Sequence, residues 1–198
     1  MTSFFKSCLV ASAIALLAFT TKASHADEAT VVSACDAGSV ARCEDLVRFY
    51  GEGATENRVK WAAYAEKACS LNSAGVCNNL GVAWSTGRIG TGRPDFARGV
   101  AYYRKACELS HGLGCFNFAN MHRLGEGVAV EPRLAFENFS KACELNEAKG
   151  CTELGIMYHD GKVVPKNVLM TLTLFQKGCK LGSAMACKNA DILLPRVQ

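Results

Sequence analysis

The sequence predicts an all-α protein, an α/α solenoid of five stacked helix–turn–helix units, and three observations indicate that fold class. Pairs of cysteines eight residues apart occur five times, and the first cysteines of successive pairs are 34, 38, 36 and 36 residues apart. Apolar residues recur at helical spacing around each pair. A glycine follows the second cysteine by ten residues in each of the first four units. A repeat of roughly 20 to 50 residues is typical of stacked arrays.

The first 26 residues are predicted to be a signal peptide rather than part of the fold. Lys6 precedes a short apolar run from Cys8 to Thr20, and Ser24-His25-Ala26 places small residues where signal peptidase requires them. The alternative is an uncleaved anchor, although the run is short for a bilayer. Cleavage after Ala26 predicts a periplasmic or secreted protein that has no membrane span and has lost Cys8.

The remaining chain, residues 27–198, is predicted to be one repeat domain. Its five units lie at approximately 27–56, 57–95, 96–133, 134–168 and 169–198. The first unit is short and is expected to cap one end of the stack. In the last unit Asp191 takes the place of a small residue and Pro195 follows, which is typical of a polar cap at the other end.

The ten cysteines that remain predict a disulfide framework, because an exported chain folds in an oxidising compartment. Zinc binding is the alternative, but there is no CxxC and no CxxCH sequence, so no metal, haem or other cofactor is expected. Spacing alone leaves many connectivities open. Repeat symmetry favours pairing within each unit: Cys35–Cys43, Cys69–Cys77, Cys107–Cys115, Cys143–Cys151 and Cys179–Cys187.

Each unit is expected to contain a first helix that ends near the first cysteine and a second helix that begins near the second. The second helices carry a large residue, a small residue and then a larger one, as in Leu80, Gly81 and Trp84. The small residue is expected to let a neighbouring helix approach closely. The glycine ten residues after the cysteine is expected to end the helix. Lysines two residues before the first cysteine are expected to lie on a solvated outer face.

Charge and catalytic motifs exclude several classes of function. The chain after residue 26 has 20 basic and 18 acidic residues, so no nucleic acid or membrane surface is expected as a partner through bulk charge. The SxxK sequence from Ser3 to Lys6 lies in the signal, and no SDN, KTG or GxSxG sequence follows. His111, His122 and His159 are far apart, and packing or surface roles are favoured over metal ligation. The residues favour a protein without enzymatic activity and do not decide the question.

Polar and aromatic residues that recur in register are the candidates for a binding groove. Polar side chains lie two residues after the second cysteine, at Asn79, Asn117, Glu153 and Asn189, while Trp61, Tyr64 and Tyr102 are candidate anchors. The alternative is structural: the polar residues would cap and bridge helices, and the aromatic residues would pack between units.

The segments AAYAEKACSLNSAGVCNNLGVAW and AFENFSKACELNEAKGCTELGIMYHDGKVVP resemble Sel1-like repeats, which are similar to TPR repeats, and in particular the cysteine-rich Helicobacter proteins. The resemblance covers nearly all of residues 27–198. It implies an α/α solenoid with a disulfide in each repeat and a scaffold that binds a protein, a peptide or a cell-wall fragment. It also implies an alternative, a penicillin-binding protein with weak β-lactamase activity.

Overall fold

The computed structural model describes residues 28–51 and 57–196, and this part of the chain forms ten α-helices and no strand. The predicted signal peptide and Gly53 lie outside the described residues. The helices are α1 (28–36), α2 (Val40–Gly51), α3 (Arg58–Ser70), α4 (Ala74–Ser85), α5 (Phe96–Glu108), α6 (Gly112–Leu124), α7 (Pro132–Glu144), α8 (Ala148–Asp160), α9 (Val168–Lys180) and α10 (Ala184–Leu193), followed by a 3-10 turn at Leu194–Arg196.

From α2 to α10 each helix packs against the next helix in the chain, and the Cys35–Cys43 disulfide joins α1 to α2, so the helices stack in sequence order. Odd-numbered helices are the first helices of the units, and even-numbered helices are the second. The predicted all-α solenoid of helix–turn–helix units is therefore confirmed. None of the helices described here is long and apolar enough to cross a bilayer.

All five predicted disulfides are present, each joining the end of a first helix to the start of a second. Their Cα atoms are 4.3 to 4.8 Å apart, near the lower end of the usual range for a disulfide. Eight of the ten cysteines are 0 to 4% exposed. The last pair, Cys179 and Cys187, is partly exposed.

The turn inside each unit has one backbone conformation throughout. The residue three positions after the first cysteine has a positive φ in all five units, at Gly38, Asn72, Ser110, Asn146 and Gly182. Glycine adopts this left-handed conformation easily because it has no Cβ to crowd the following carbonyl, and asparagine tolerates it because its short polar side chain can hydrogen-bond locally. This turn conformation, repeated in all five units, sets the angle at which each second helix returns along its first helix.

Glycines end two of the second helices as predicted. Gly125 and Gly161 are the left-handed C-cap residues of α6 and α8, with φ of 76° and 69°. In the second unit α4 ends earlier, with Thr86 as its C-cap, and Gly87 follows with φ of 68°.

The small residues of the second helices lie under aromatic rings of the next unit. A Cβ built on Gly155 would fall 2.7 Å from Cε1 of Phe175, and one built on Gly81 would fall 2.5 Å from Cδ1 of Tyr103. Ala119 and Phe139, which hold the same two positions at the next junction, are fully buried in one cluster. The expected close approach is confirmed, and the approaching group is an aromatic side chain of the following first helix.

The expectation that the recurring lysines face solvent is wrong for two of them. Lys177 Nζ donates a hydrogen bond of 2.7 Å to the carbonyl oxygen of Cys143, one unit earlier. Lys67 similarly forms an ion pair of 2.5 Å with Asp36, the last residue of α1. The long lysine side chain spans the distance between units and places its charge at the C-terminal end of the preceding first helix, where the helix dipole is negative.

Candidate functional site

Two grooves open on the side of the solenoid where the first turns of α2, α4, α6, α8 and α10 follow one another, here called the second-helix face. Contacts between neighbouring turns define this face: Ser73 bonds to Glu44, and the hydroxyls of Thr152 and Ser183 are 3.0 Å apart. The face therefore runs the whole length of the described solenoid.

The N-terminal groove has a volume of about 630 Å³ and lies between α2 and α4. Ser73 Oγ donates a hydrogen bond of 2.6 Å to Glu44 Oε1 across its floor. Trp61 of α3 forms part of the wall, and its ring lies 5.9 Å from the guanidinium of Arg88. The lining residues are Val40, Glu44, Val47, Arg48, Gly51, Trp61, Asn72, Ser73, Ala74, Gly75, Val76 and Asn79.

The C-terminal groove has a volume of about 440 Å³ and lies between α6, α8 and the loop that joins α9 to α10. Phe116, Leu181 and Met185 give it an apolar surface, and Leu181 and Met185 are 37% and 53% exposed. The Lys149 ammonium lies 5.8 Å from the centre of the Phe116 ring. The remaining lining residues are Glu147, Ala148, Thr152, Glu153, Gly182, Ser183 and Ala184.

Hydrogen bonds between units connect the region that separates the two grooves. Asn117 Nδ2 donates to Asn78 Oδ1 at 2.8 Å, and Asn78 is buried.

His111 caps α6, its Nδ1 accepting a hydrogen bond of 3.1 Å from the Gly114 amide. Burial lowers the pKa of His111, while the carboxylate of Glu147 acts in the opposite direction. The neutral imidazole is therefore the form that suits this cap.

The structure separates the seven predicted groove residues into different environments. Asn79 and Glu153 line the two grooves, whereas Asn117 is engaged by Asn78 and Asn189 is partly exposed outside both linings. Trp61 also lines a groove but is largely buried.

The other two predicted anchors, Tyr64 and Tyr102, lie against the core formed by the first three units. Tyr64 stacks on Tyr50, with ring centres 5.6 Å apart. Burial raises the pKa of Tyr102, and the negative charge of Glu66 adds to that effect. Both tyrosines therefore take part in inter-unit packing.

A third groove, of about 620 Å³, lies between α5, α6 and α7, and sequence reasoning did not indicate it. Val100, Phe118 and Leu134 contribute apolar surface. His122 is buried there and its ring meets Phe118 edge-on, 4.8 Å between centres, so it packs as expected. The charged residues of the lining are Arg104, Glu108, Glu137 and Lys141.

Sequence reasoning also missed most of the C-terminal groove. Phe116, Lys149 and Met185 occupy unit positions at which the five units carry chemically different residues. That variability was an available signal, because positions that pack in every unit keep one residue type. Within the described ranges, no group of three or more histidine, cysteine, aspartate or glutamate residues could hold a metal ion.

The described chain is a solenoid of helix pairs that stack only on their neighbours, and one face along its length carries grooves. These features define the class of helical repeat scaffolds. The Sel1 repeat family matches residues 46–73, 75–111, 112–147 and 148–183, and the chain belongs to that family. Each long match pairs a second helix with the first helix that follows it. The matched segments are therefore half a unit out of phase with the disulfide-closed units, whose bounds stay a prediction.

Solved structures agree with this assignment. The chain is 36% identical to the Helicobacter pylori cysteine-rich protein B, covering 70% of this chain and 98% of that one with a TM-score of 0.54. The protective antigen c5321 of uropathogenic Escherichia coli strains, which displays an SLR fold, has a TM-score of 0.75 at 21% identity, covering 85% of this chain and 36% of that one. A Sel1 repeat protein from Oxalobacter formigenes gives 0.70 at 21% identity, over 82% and 65%. The last two show the fold alone.

Among curated proteins, the cytochrome c oxidase assembly factor 7A of Xenopus laevis is 39% identical over 66 residues. The match covers 33% of this chain and only 28% of the frog protein. The chain therefore shares a run of repeats with that relative and not its whole length.

Proposed function

We propose that this protein is an exported binding scaffold that holds a segment of a protein or peptide in the C-terminal groove. The observation that carries this proposal is a groove in which the partly buried Phe116 and the exposed Leu181 and Met185 form one apolar surface, since concave sites lined by apolar side chains are where ligands bind. Five disulfides indicate an oxidising, extracellular or periplasmic compartment. The signal peptide predicted at residues 1–26 also supports export.

The chemistry of the groove favours a segment with a large apolar side chain next to a lysine or arginine. Apolar side chains that fill a pocket contribute most of the affinity at such interfaces. Around the pocket, Glu147 and Glu153 supply two negative charges, and Lys149 supplies one positive charge. The excess negative charge favours a basic neighbour and disfavours an acidic one.

Peptide selection tests this proposal. A library of displayed 12-residue peptides is panned against the oxidised chain, and we expect enrichment of sequences with a large apolar residue beside lysine or arginine. For an enriched peptide, Glu153→Lys is expected to weaken binding at least tenfold, about 1.4 kcal/mol. Glu137→Lys, in the third groove, is the matched control. Absence of enrichment, or equal losses from both substitutions, would contradict the proposal.

Weak β-lactam hydrolysis, the alternative implied by the family resemblance, is not favoured. The relationship on which the assignment rests is to Sel1 repeats, which act as scaffolds for protein–protein interaction. Ser73, which contacts a carboxylate in the N-terminal groove, has no lysine among the residues that line the groove with it. A serine of that kind lacks the activating lysine of the SxxK arrangement.

A further inference from the structure

The fifth disulfide differs from the other four in its access to solvent. The cysteines of the first four disulfides are 0 to 4% exposed, and alanines of the following first helix pack over at least two of these disulfides. Ala106 belongs to the cluster of Cys69 and Cys77, and Ala142 packs with Cys107 and Cys115. No further unit follows α10 among the described residues, and Cys179 and Cys187 are both partly exposed.

The same disulfide closes the loop that forms one wall of the C-terminal groove. The five residues Leu181–Met185 all line the groove, and all lie between Cys179 and Cys187. The loop also contacts α8 through the hydroxyls of Ser183 and Thr152, 3.0 Å apart. Backbone hydrogen bonds also hold the turn, as from the Ser183 amide to the Gly178 carbonyl at 2.9 Å, and the disulfide adds a covalent restraint between the two ends of this wall.

We propose that the Cys179–Cys187 disulfide is a redox switch for the C-terminal groove, and that its reduction loosens the wall and releases the bound segment. The inference rests on the proposed function, because it concerns the regulation of that site. The reductant is a dithiol, either a small molecule or a protein with two vicinal cysteines. It acts on the fifth disulfide before the others, because it must reach a sulfur atom directly.

The exchange balances as a two-electron reduction. One thiolate of the dithiol attacks the sulfur of Cys179 or Cys187, the protein S–S bond breaks, and a mixed disulfide forms. The second thiol of the reductant then attacks the reductant's first sulfur, which is bonded to the protein in the mixed disulfide. This step frees the remaining cysteine. The dithiol leaves as a disulfide, and its two protons end on the thiols of Cys179 and Cys187.

The first test needs no ligand. The oxidised chain is treated with increasing dithiothreitol without denaturant, alkylated with N-ethylmaleimide and mapped by peptide mass. We expect Cys179 and Cys187 to be alkylated at dithiothreitol concentrations at least tenfold below those that modify the other eight cysteines. Hydrogen–deuterium exchange of residues 181–186 should then rise, while the equivalent turn at residues 145–150 stays protected. Simultaneous reduction of all five disulfides, or unchanged exchange, would overturn the inference.

The second test uses the peptide enriched by selection. Its affinity should fall at least tenfold on selective reduction of the fifth disulfide, and equally in the Cys179→Ser, Cys187→Ser double variant. The Cys35→Ser, Cys43→Ser variant is the control at the far end of the solenoid, and it should bind normally. Unchanged affinity after reduction overturns the switch and leaves the groove assignment intact. If selection enriches no peptide, the proposed function fails, and the alkylation and exchange results still decide whether the wall is under redox control.

Discussion

The ring of Tyr103 lies directly over Gly81, so that a Cβ placed on the glycine would be 2.5 Å from Cδ1 of the tyrosine. The two residues belong to successive units, four residues after one second cysteine and four before the next first cysteine. At the first junction the sizes are reversed, because Val47 and the fully buried Ala65 hold those positions. Each junction thus combines one large and one small residue.

Gly81→Ala should lower the free energy of unfolding by about 1 to 3 kcal/mol, because the added methyl group overlaps a ring that other side chains hold in place. Chemical denaturation followed by circular dichroism measures the change. Gly75→Ala in the same helix is the control, since its Cβ would have 3.8 Å to the nearest atom, Nε2 of His111. The double variant Gly81→Val, Tyr103→Ala, which copies the first junction, should lose less free energy of unfolding than the sum of the losses in Gly81→Val alone and Tyr103→Ala alone. A loss equal to that sum would refute the size relationship.

Ser110 is the one residue among the five equivalent turn positions that is neither glycine nor asparagine, and its φ is 62°. Ser110→Asn should raise the free energy of unfolding by about 0.5 to 1 kcal/mol, because asparagine tolerates the left-handed conformation better. Ser110→Val should lower it by more than 1 kcal/mol, as expected for a β-branched residue there. Urea midpoints of the two variants measure both effects. If asparagine and valine had the same effect, the turn would not be controlled by backbone strain.

The His111 cap predicts a dependence of stability on pH. Because burial lowers its pKa in the folded state, the folded chain binds fewer protons at this site than the unfolded chain. The neutral His111 cap makes its full contribution to the free energy of unfolding above the pKa of histidine in the unfolded chain, about 6.5. This contribution is lost as the pH falls from there through the lower pKa of the folded chain. Protonation places a donor and a positive charge against the Gly114 amide at a helix N-terminus.

The measurement is the urea midpoint of the native chain and of His111→Ser between pH 5 and pH 8. Serine caps the equivalent helix in the fifth unit, where Ser183 Oγ accepts from the Ala186 amide, so the variant keeps a cap that does not titrate. The difference in the free energy of unfolding between the two proteins should move in favour of the variant as the pH falls, because the serine cap does not titrate. Parallel pH profiles would contradict the role given to the imidazole.

Lys177→Met should lower the free energy of unfolding by about 0.5 to 1 kcal/mol, because it removes the bond to the Cys143 carbonyl and a positive charge at the end of α7. Lys180→Met is the control, since Lys180 lies on the same helix and is exposed. Thermal unfolding of the two variants at low and high salt tests the assignment. Added salt should reduce the difference in unfolding temperature between the two variants if the charge of Lys177 contributes to stability.

The order of helices and disulfides could be predicted from the sequence because both are local. A cysteine pair eight residues apart, with apolar residues at helical spacing around it, specifies one helix–turn–helix unit whatever the rest of the chain does. The buried core could also be predicted from the sequence, because Leu80 and Cys77 are buried where neighbouring units pack.

The grooves could be predicted only in part, because they depend on the rotation between units. Asn79 and Glu153 line grooves, and their role in binding stays a prediction, whereas Asn117, at the same position in its unit, bonds to Asn78. All three residues lie two positions after the second cysteine of their unit, so no local pattern distinguishes them. The contact between Gly81 and Tyr103 is likewise made across units, where no local pattern determines which side chain meets which.

The eight-residue separation within every cysteine pair has a consequence for the order of assembly. Each cysteine meets its partner within one helical hairpin, so a disulfide can close before the following unit has folded. Pairing is then decided by proximity along the chain, because the nearest cysteine of another pair is 26 or more residues away. Oxidative folding of this chain is expected to proceed from the first unit to the last with few mispaired intermediates and little need for a disulfide isomerase.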